Sequence, residues 1–341
     1  MIEWLNVPEE TRRNAYVQIA EKTGMSPFAV EKDWWVVQTL SAIFDLEAAR
    51  ALVFKGGTSL SKAWGLINRF SEDIDLAIDR GYLGFEGVLS KSKKTRLRKE
   101  ASSYTSGIFY QLLKDKFVER EIAGVDFKII EAKDSDQDPR IIEIYYHNVI
   151  PNPGYLEARV QIEIGCRSMR EPFETVSFRS LVDEYYSDRS FALPPISVPT
   201  VVPERTFLEK IFLLHEEFHR PIEKIRVDRL SRHIYDVVKM AQTNVANRAL
   251  SDPELYQNIL SHRYSFSRVG GVDDKLMQPQ TIDPLPIPAV SQAWQDDYST
   301  MVEQMIFEPQ PPSYIQLIEQ LTILKERINK LPWKIETSFL S

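Results

Sequence analysis

The chain has 341 residues, 43% of them hydrophobic and 27% charged, with a formal net charge of -7. This is the composition of an ordinary globular protein with a sizeable core, and its acidic balance excludes a general histone-like grip on nucleic acid while leaving room for a local basic groove. One cysteine, Cys166, excludes an intramolecular disulfide and fits a reducing cytosol. The start "MIEWLNVPEETRRN" has no apolar signal-peptide core, and no apolar run reaches membrane-spanning length. A cytoplasmic protein with no membrane contact is therefore expected.

In chain order, residues 1–48 read as an N-terminal helical segment. "SPFAVEKDWWVVQTLSAIF" has Ser26 as N-cap, Pro27 at the first helical position, and Val30, Trp34, Val37 and Leu40 at helical spacing. Residues 49–200 read as a mixed core. "ALVF" is a short buried strand, "TSLSKAWGL" a short helix, and "DIDLAI" a strand with one polar face. "KSKKTRLRKEASSYTSGIFYQLLKDKF" reads as one long helix with a basic start, and "IIEIYY" and "YLEARVQIEIGC" as further strands. "FALPPISVP" is extended and marks a boundary. Residues 201–341 read as a helical C-terminal domain, in which "SRVGGVDDKLMQPQTIDPLPIPAV" is an ordered loop with few contacts of its own.

The chemistry concentrates in "FKGGTSLSKAWGLINRFSEDIDLAID", residues 54–79. Strand side chains alternate, so Asp73 and Asp75 share a face. Two carboxylates a strand step apart can hold a hard divalent cation, Mg²⁺ or Mn²⁺, whose shell water and substrate phosphate complete. The Gly56-Gly57-Thr58-Ser59 turn lets backbone N–H groups approach a phosphate, with the two hydroxyls as added donors. Lys55, Arg69 and Ser71 lie near enough in sequence to join a nucleotide site. The spacing is not that of a Walker P-loop.

The run "KGGTSLSKAWGLINRFSEDIDL" resembles the signature of polymerase-β-type nucleotidyltransferases. More narrowly it is similar to the AbiEii/AbiGii toxin family, the toxin half of type IV toxin–antitoxin and abortive-infection systems. "VEKDWWVVQTL", "PERTFLEKIFLL" and "RLSRHIYDVVKM" resemble further stretches of that family. The resemblance implies an α+β, polymerase-β-like core of mixed sheet and helices. It also implies transfer of a nucleoside monophosphate from an NTP to an acceptor hydroxyl, with tRNA the leading acceptor, growth arrest as the consequence, and a cognate antitoxin as partner. Lys210 and Asp236 match its functional lysine and aspartate, while His233 stands where many relatives have Asp. A third carboxylate is expected on a neighbouring strand. Glu163 is the first choice, with Glu143 as rival and a solvated strand face as the alternative for both.

Other readings compete. Lys210 and Asp236 also fit a structural ion pair between packed helices. The basic run Lys91, Lys93, Lys94, Arg96, Arg98 and Lys99 suits an RNA backbone or simply a solvated helix start. A small-molecule nucleotidyltransferase would use the same core, and a non-enzymatic nucleotide- or RNA-binding protein would bind without transfer. "HEEFH", residues 215–219, matches the HExxH zinc-protease pattern. However, no third ligand pattern follows, and His215 lies within the apolar arc of Phe207, Ile211 and Phe218.

Overall fold

The computed structural model describes residues 2–71, 73–152 and 157–336. They form two compact units, one of Met1–Gly65 with Phe70–Val201, the other of Leu66–Arg69 with Val202–Ser341.

The first unit is built on a seven-stranded mixed sheet in the order β3-β4-β5-β2-β1-β7-β6. Its strands are β1 (Leu52–Lys55), β2 (Asp73–Ile78), β3 (Val125–Ile129), β4 (Arg140–Tyr146), β5 (Arg159–Gly165), β6 (Phe173–Phe178) and β7 (Ile196–Val201). β2 runs antiparallel to β1 but parallel to β5, and β1 runs parallel to β7. One sheet face is apolar: Ile74, Leu76, Val160 and Ile162 are fully buried. They pack on the Pro27–Phe44 helix, whose start is fixed by the Ser26 hydroxyl accepting from the Ala29 N–H at 3.1 Å. That helix is buried nearly all round, as its apolar composition requires. It nevertheless buries three consecutive charges, Glu31, Lys32 and Asp33. Burial of this kind is tolerable only with partners. Glu31 accepts from the Val149 and Ile150 N–H groups at 2.8 and 3.0 Å, and Lys32 donates to the Glu157 carbonyl at 3.0 Å.

Three strands were not legible as such. β3 and β6 alternate weakly and are half exposed. β7 contains Pro199, a residue that reads against an interior strand. β7 meets β1 through a single residue pair, Phe54 with Thr200, while Pro199 stands opposite Thr175 of β6. The long basic helix is real but interrupted: Lys91–Tyr104 and Tyr110–Glu119 are joined through a π-helical turn, Thr105–Phe109.

Cys166 follows β5 and is fully buried, its N–H donating to Asp138 Oδ1 at 2.8 Å. Burial and the adjacent Asp138 push its thiol pKa far up.

The second unit is helical, chiefly Pro203–Phe218, Ser231–Ala241, Pro253–Phe266, Pro288–Gln304 and Tyr314–Asn329. The 267–290 stretch is better anchored than its composition suggests. Met277 and Ile282 are buried, the Tyr256 hydroxyl donates to the Met277 carbonyl, and Gln280 Nε2 donates to the Leu331 and Trp333 carbonyls. Its contacts come from Tyr256 and from the chain after the Tyr314–Asn329 helix, distant in sequence, so a local reading of Gly and Pro content misses them. Within this unit the tetrapeptide Leu66–Arg69 is held by an Arg69–Ile306 bridge and by the Phe307 N–H donating to the Asn68 carbonyl at 3.1 Å.

Candidate active site

The polar face of the sheet carries the site. β1 and β2 set Lys55 opposite Asp75, and β2 and β5 set Asp75 opposite Glu163 and Asp73 opposite Gln161. Paired residues in adjacent strands project to the same side. Lys55, both aspartates and Glu163 therefore share one half-exposed surface.

The diglycine turn meets that surface directly. Gly56 has φ +80, a conformation that favours glycine, and a Cβ built there would lie 1.9 Å from Asp75 Oδ2. The bend and the second aspartate are thus in van der Waals contact, which explains why no side chain is accommodated at position 56. The Thr58 hydroxyl donates to the Asp73 carbonyl at 2.6 Å, and the Ser59 hydroxyl to the Gly56 carbonyl at 2.9 Å. The Thr58 hydroxyl therefore braces the turn against β2 and the Ser59 hydroxyl closes the turn on itself, so each already donates to a carbonyl. The backbone N–H groups of the first helical turn keep no intrahelical partner and remain the donors suited to an anion.

Glu163 stands directly beside Asp75 on the neighbouring strand. Gln161 Nε2 donates to its Oε1 at 2.8 Å. Burial, then Asp75 and Asp73, push its pKa up to about 7, with Lys55 opposing. Glu143 is instead neutralised by Arg159 Nη1 at 3.1 Å and accepts from the Tyr145 hydroxyl at 2.7 Å. Among the described residues no three or more His, Cys, Asp or Glu side chains close into a cage for an ion. The donor set is that of Mg²⁺ or Mn²⁺, which uses one or two carboxylates and leaves its other positions to water and phosphate. The repulsion that Glu163 feels from Asp75 and Asp73 fits a cation there.

Two positioning residues escaped the sequence reading. Lys62 Nζ lies 2.7 Å from Asp33 Oδ1, and Asp33 Oδ2 accepts from the Leu181 N–H at 2.7 Å. The helical turn after the diglycine is thereby tied to the buried Pro27–Phe44 helix. Three consecutive charges in an otherwise apolar helix were the available signal. Ser71 is half-buried beside the start of β2.

The remaining residues singled out in the sequence lie in the second unit. Arg69 grips Asp236 with both arms, Nε to Oδ1 at 2.7 Å and Nη2 to Oδ2 at 2.8 Å. Lys210 Nζ reaches Asp236 Oδ2 at 3.0 Å and His233 Nδ1 at 3.1 Å. Burial opposes charge on Asp236, but Arg69 and Lys210 outweigh it and hold the carboxyl below the usual carboxylate range. Burial, followed by Lys210 and Arg232, keeps His233 neutral, so its Nδ1 accepts the lysine proton. Burial also lowers the Lys210 ammonium against the pull of Asp236. Arg69, expected near the nucleotide, thus commits its guanidinium fork to Asp236.

The HExxH residues are committed elsewhere. Glu216 pairs with Arg263 through Nε at 3.0 Å, and the Asp283 N–H donates to His215 Nδ1 at 3.0 Å. A glutamate held by an arginine is a poor general base, and burial lowers the His215 pKa to about 4.

A family match makes this chain, with its acidic side chains on a mixed sheet beside a glycine bend, a nucleotidyltransferase. The chain belongs to the AbiEii nucleotidyltransferase toxin family of type IV toxin–antitoxin systems, whose model matches residues 38–320. Similar solved structures include MenT4, a nucleotidyltransferase toxin from Mycobacterium tuberculosis. It is 17% identical, with a TM-score of 0.43 over 92% of this chain and 97% of that one. A candidate nucleotidyltransferase from H. pylori is 15% identical, with a TM-score of 0.41 over 86% and 92% of the two chains. No curated protein matches the chain. Among the described residues no helix is long and apolar enough to cross a membrane.

Proposed function

We infer that this toxin moves a nucleoside monophosphate from an NTP to a hydroxyl of RNA, with tRNA the first acceptor to test, and that a cognate antitoxin restrains it. The observation that carries this is the contact between Gly56 and Asp75, with Lys55 and Glu163 in register on either side. Asp73 and Asp75 would hold Mg²⁺ or Mn²⁺, which supplies charge neutralisation at the triphosphate. Lys55 and the N–H groups at Gly56 and Gly57 bind phosphate oxygens, with the Ser71 hydroxyl as a further candidate donor. The acceptor hydroxyl attacks the α-phosphorus, the bond to the β-phosphate oxygen breaks, and pyrophosphate leaves. Glu163 takes the hydroxyl proton. Positioning and charge supply most of the rate enhancement. Lys210, oriented by Asp236 and His233, is the further cation that the family resemblance brings to the reaction.

The test incubates the protein with each α-labelled NTP, Mg²⁺ and total cellular RNA. Label in tRNA from one or more nucleotides supports the reading, with Asp75→Ala soluble, folded and non-toxic as control. Label entering no RNA, or a small molecule in the absence of RNA, overturns the acceptor. A toxic, folded Asp75→Ala overturns the site.

A further inference from the structure

Beyond β2 the chain builds a second feature on the same unit that the transfer chemistry does not use. Residues 79–90 turn back through a hydrogen-bonded loop. The Gly81 N–H donates to Asp79 Oδ1 at 2.8 Å, and the Leu83 and Phe85 N–H groups donate to the Arg80 carbonyl at 3.1 and 2.9 Å. Between this loop and the first turns of the Lys91–Tyr104 helix lies a cavity of ≈ 470 Å³, within the size range of small-ligand sites.

The lining is chemically mixed. Leu83 and the buried Leu89 give it an apolar floor. Phe85 forms a wall, with the Arg96 guanidinium 5.8 Å from its ring centroid. Lys93 sits at the rim, and Lys91 and Lys99 are exposed on the same basic helix. Glu86 and Glu100 also line it. A second arginine–aromatic pair stands beside it, Arg50 at 5.7 Å from the ring of Tyr82, which is itself exposed.

An aromatic face with a guanidinium is the platform on which unstacked bases stack. Carboxylates accept from exocyclic amino groups of bases, and surrounding lysines neutralise phosphates. A solvated helix start explains the lysines but not an apolar-floored cavity with acids at its edge. An acidic protein would face Glu86 and Glu100 without using them. We propose that this cavity receives an unpaired base of the RNA acceptor, with Lys91, Lys93 and Lys99 along its backbone. None of Asp73, Asp75 and Glu163 lines this cavity. The site therefore positions the RNA and does no chemistry. It rests on the RNA reading above.

The experiment measures binding of unfractionated tRNA to the full chain by fluorescence anisotropy across a salt series. A parallel assay follows Mg²⁺-dependent NTP binding. Phe85→Ala should weaken tRNA binding about tenfold, and Lys93→Ala/Arg96→Ala at least as much with a shallower salt slope. In both variants KM for tRNA should rise while NTP binding, kcat and the unfolding midpoint stay unchanged. If wild-type protein labels tRNA and the variants bind and react as it does, this site is overturned and the RNA reading stands. If the variants lose antitoxin binding while tRNA affinity is unchanged, the surface is a protein interface and the proposal is overturned. If wild-type protein neither binds nor labels RNA, the RNA reading falls and this inference with it.

Discussion

Gly56 is the residue on which the candidate site is most sensitive to a single atom. A methyl group there must displace Asp75 Oδ2 while its own backbone stays in a left-handed conformation. Gly56→Ala should cost about 1–2 kcal/mol in urea unfolding from backbone strain alone. Nucleotide transfer should fall at least a hundredfold, because the displaced group is a proposed metal ligand. Glu163 gives a second test at this scale. Its carboxyl has an ordinary pKa of 4.5 and is pushed up to about 7 in the folded chain. The folded state therefore holds a proton that the unfolded chain releases first. Without divalent cation, stability should decline as pH rises from about 4.5 to 7, by up to about 2–3 kcal/mol. Glu163→Gln should flatten that profile, and Mg²⁺ should restore stability at pH 7.5 in the wild type. Urea titrations at pH 5 and 7.5 read both.

At the level of elements, the Pro203–Phe218 and Ser231–Ala241 helices are joined by one buried ionic cluster. Two substitutions separate its structural and chemical roles. Asp236→Ala leaves Arg69 and Lys210 buried without their carboxylate and should cost about 3–5 kcal/mol. Lys210→Met leaves the two-armed Arg69–Asp236 pair in place and should stay within about 1 kcal/mol of wild type by thermal unfolding. If Lys210 serves the nucleotide, labelled transfer should nevertheless fall at least a hundredfold. The sequence made some of these elements plain and hid others. Asp73 and Asp75 are legible because acids alternating with Ile and Leu can only mean a two-faced strand. Glu163 and Glu143 show the same alternation, and only the family resemblance favoured Glu163 in the sequence; the strand order then puts β5 and not β4 beside β2. The partner of Arg69 is unreadable locally, since 167 positions separate it from Asp236. Thr58 and Ser59 looked like ligands because spacing reveals a hydroxyl's presence but not the carbonyl it already serves.

For the whole molecule, the two units are not two lengths of chain. The helical unit takes four of its residues, Leu66–Arg69, from between the glycine turn and β2. A fragment of residues 202–341 would contain Asp236 and Lys210 but not Arg69. It should fail to reach a cooperative fold, as judged by a thermal transition in circular dichroism, and adding residues 66–69 as a peptide should not repair it, given the entropy of association. An enzyme cut at the apparent boundary is therefore a poor source of either half. Cys166, by contrast, offers a practical handle. The only thiol in the sequence is fully buried just past the end of β5 and poorly ionised. Alkylating reagents should pass the native protein by, so a cysteine engineered onto the surface would carry a fluorophore without background. Labelling of the native thiol would then clock how often the molecule opens.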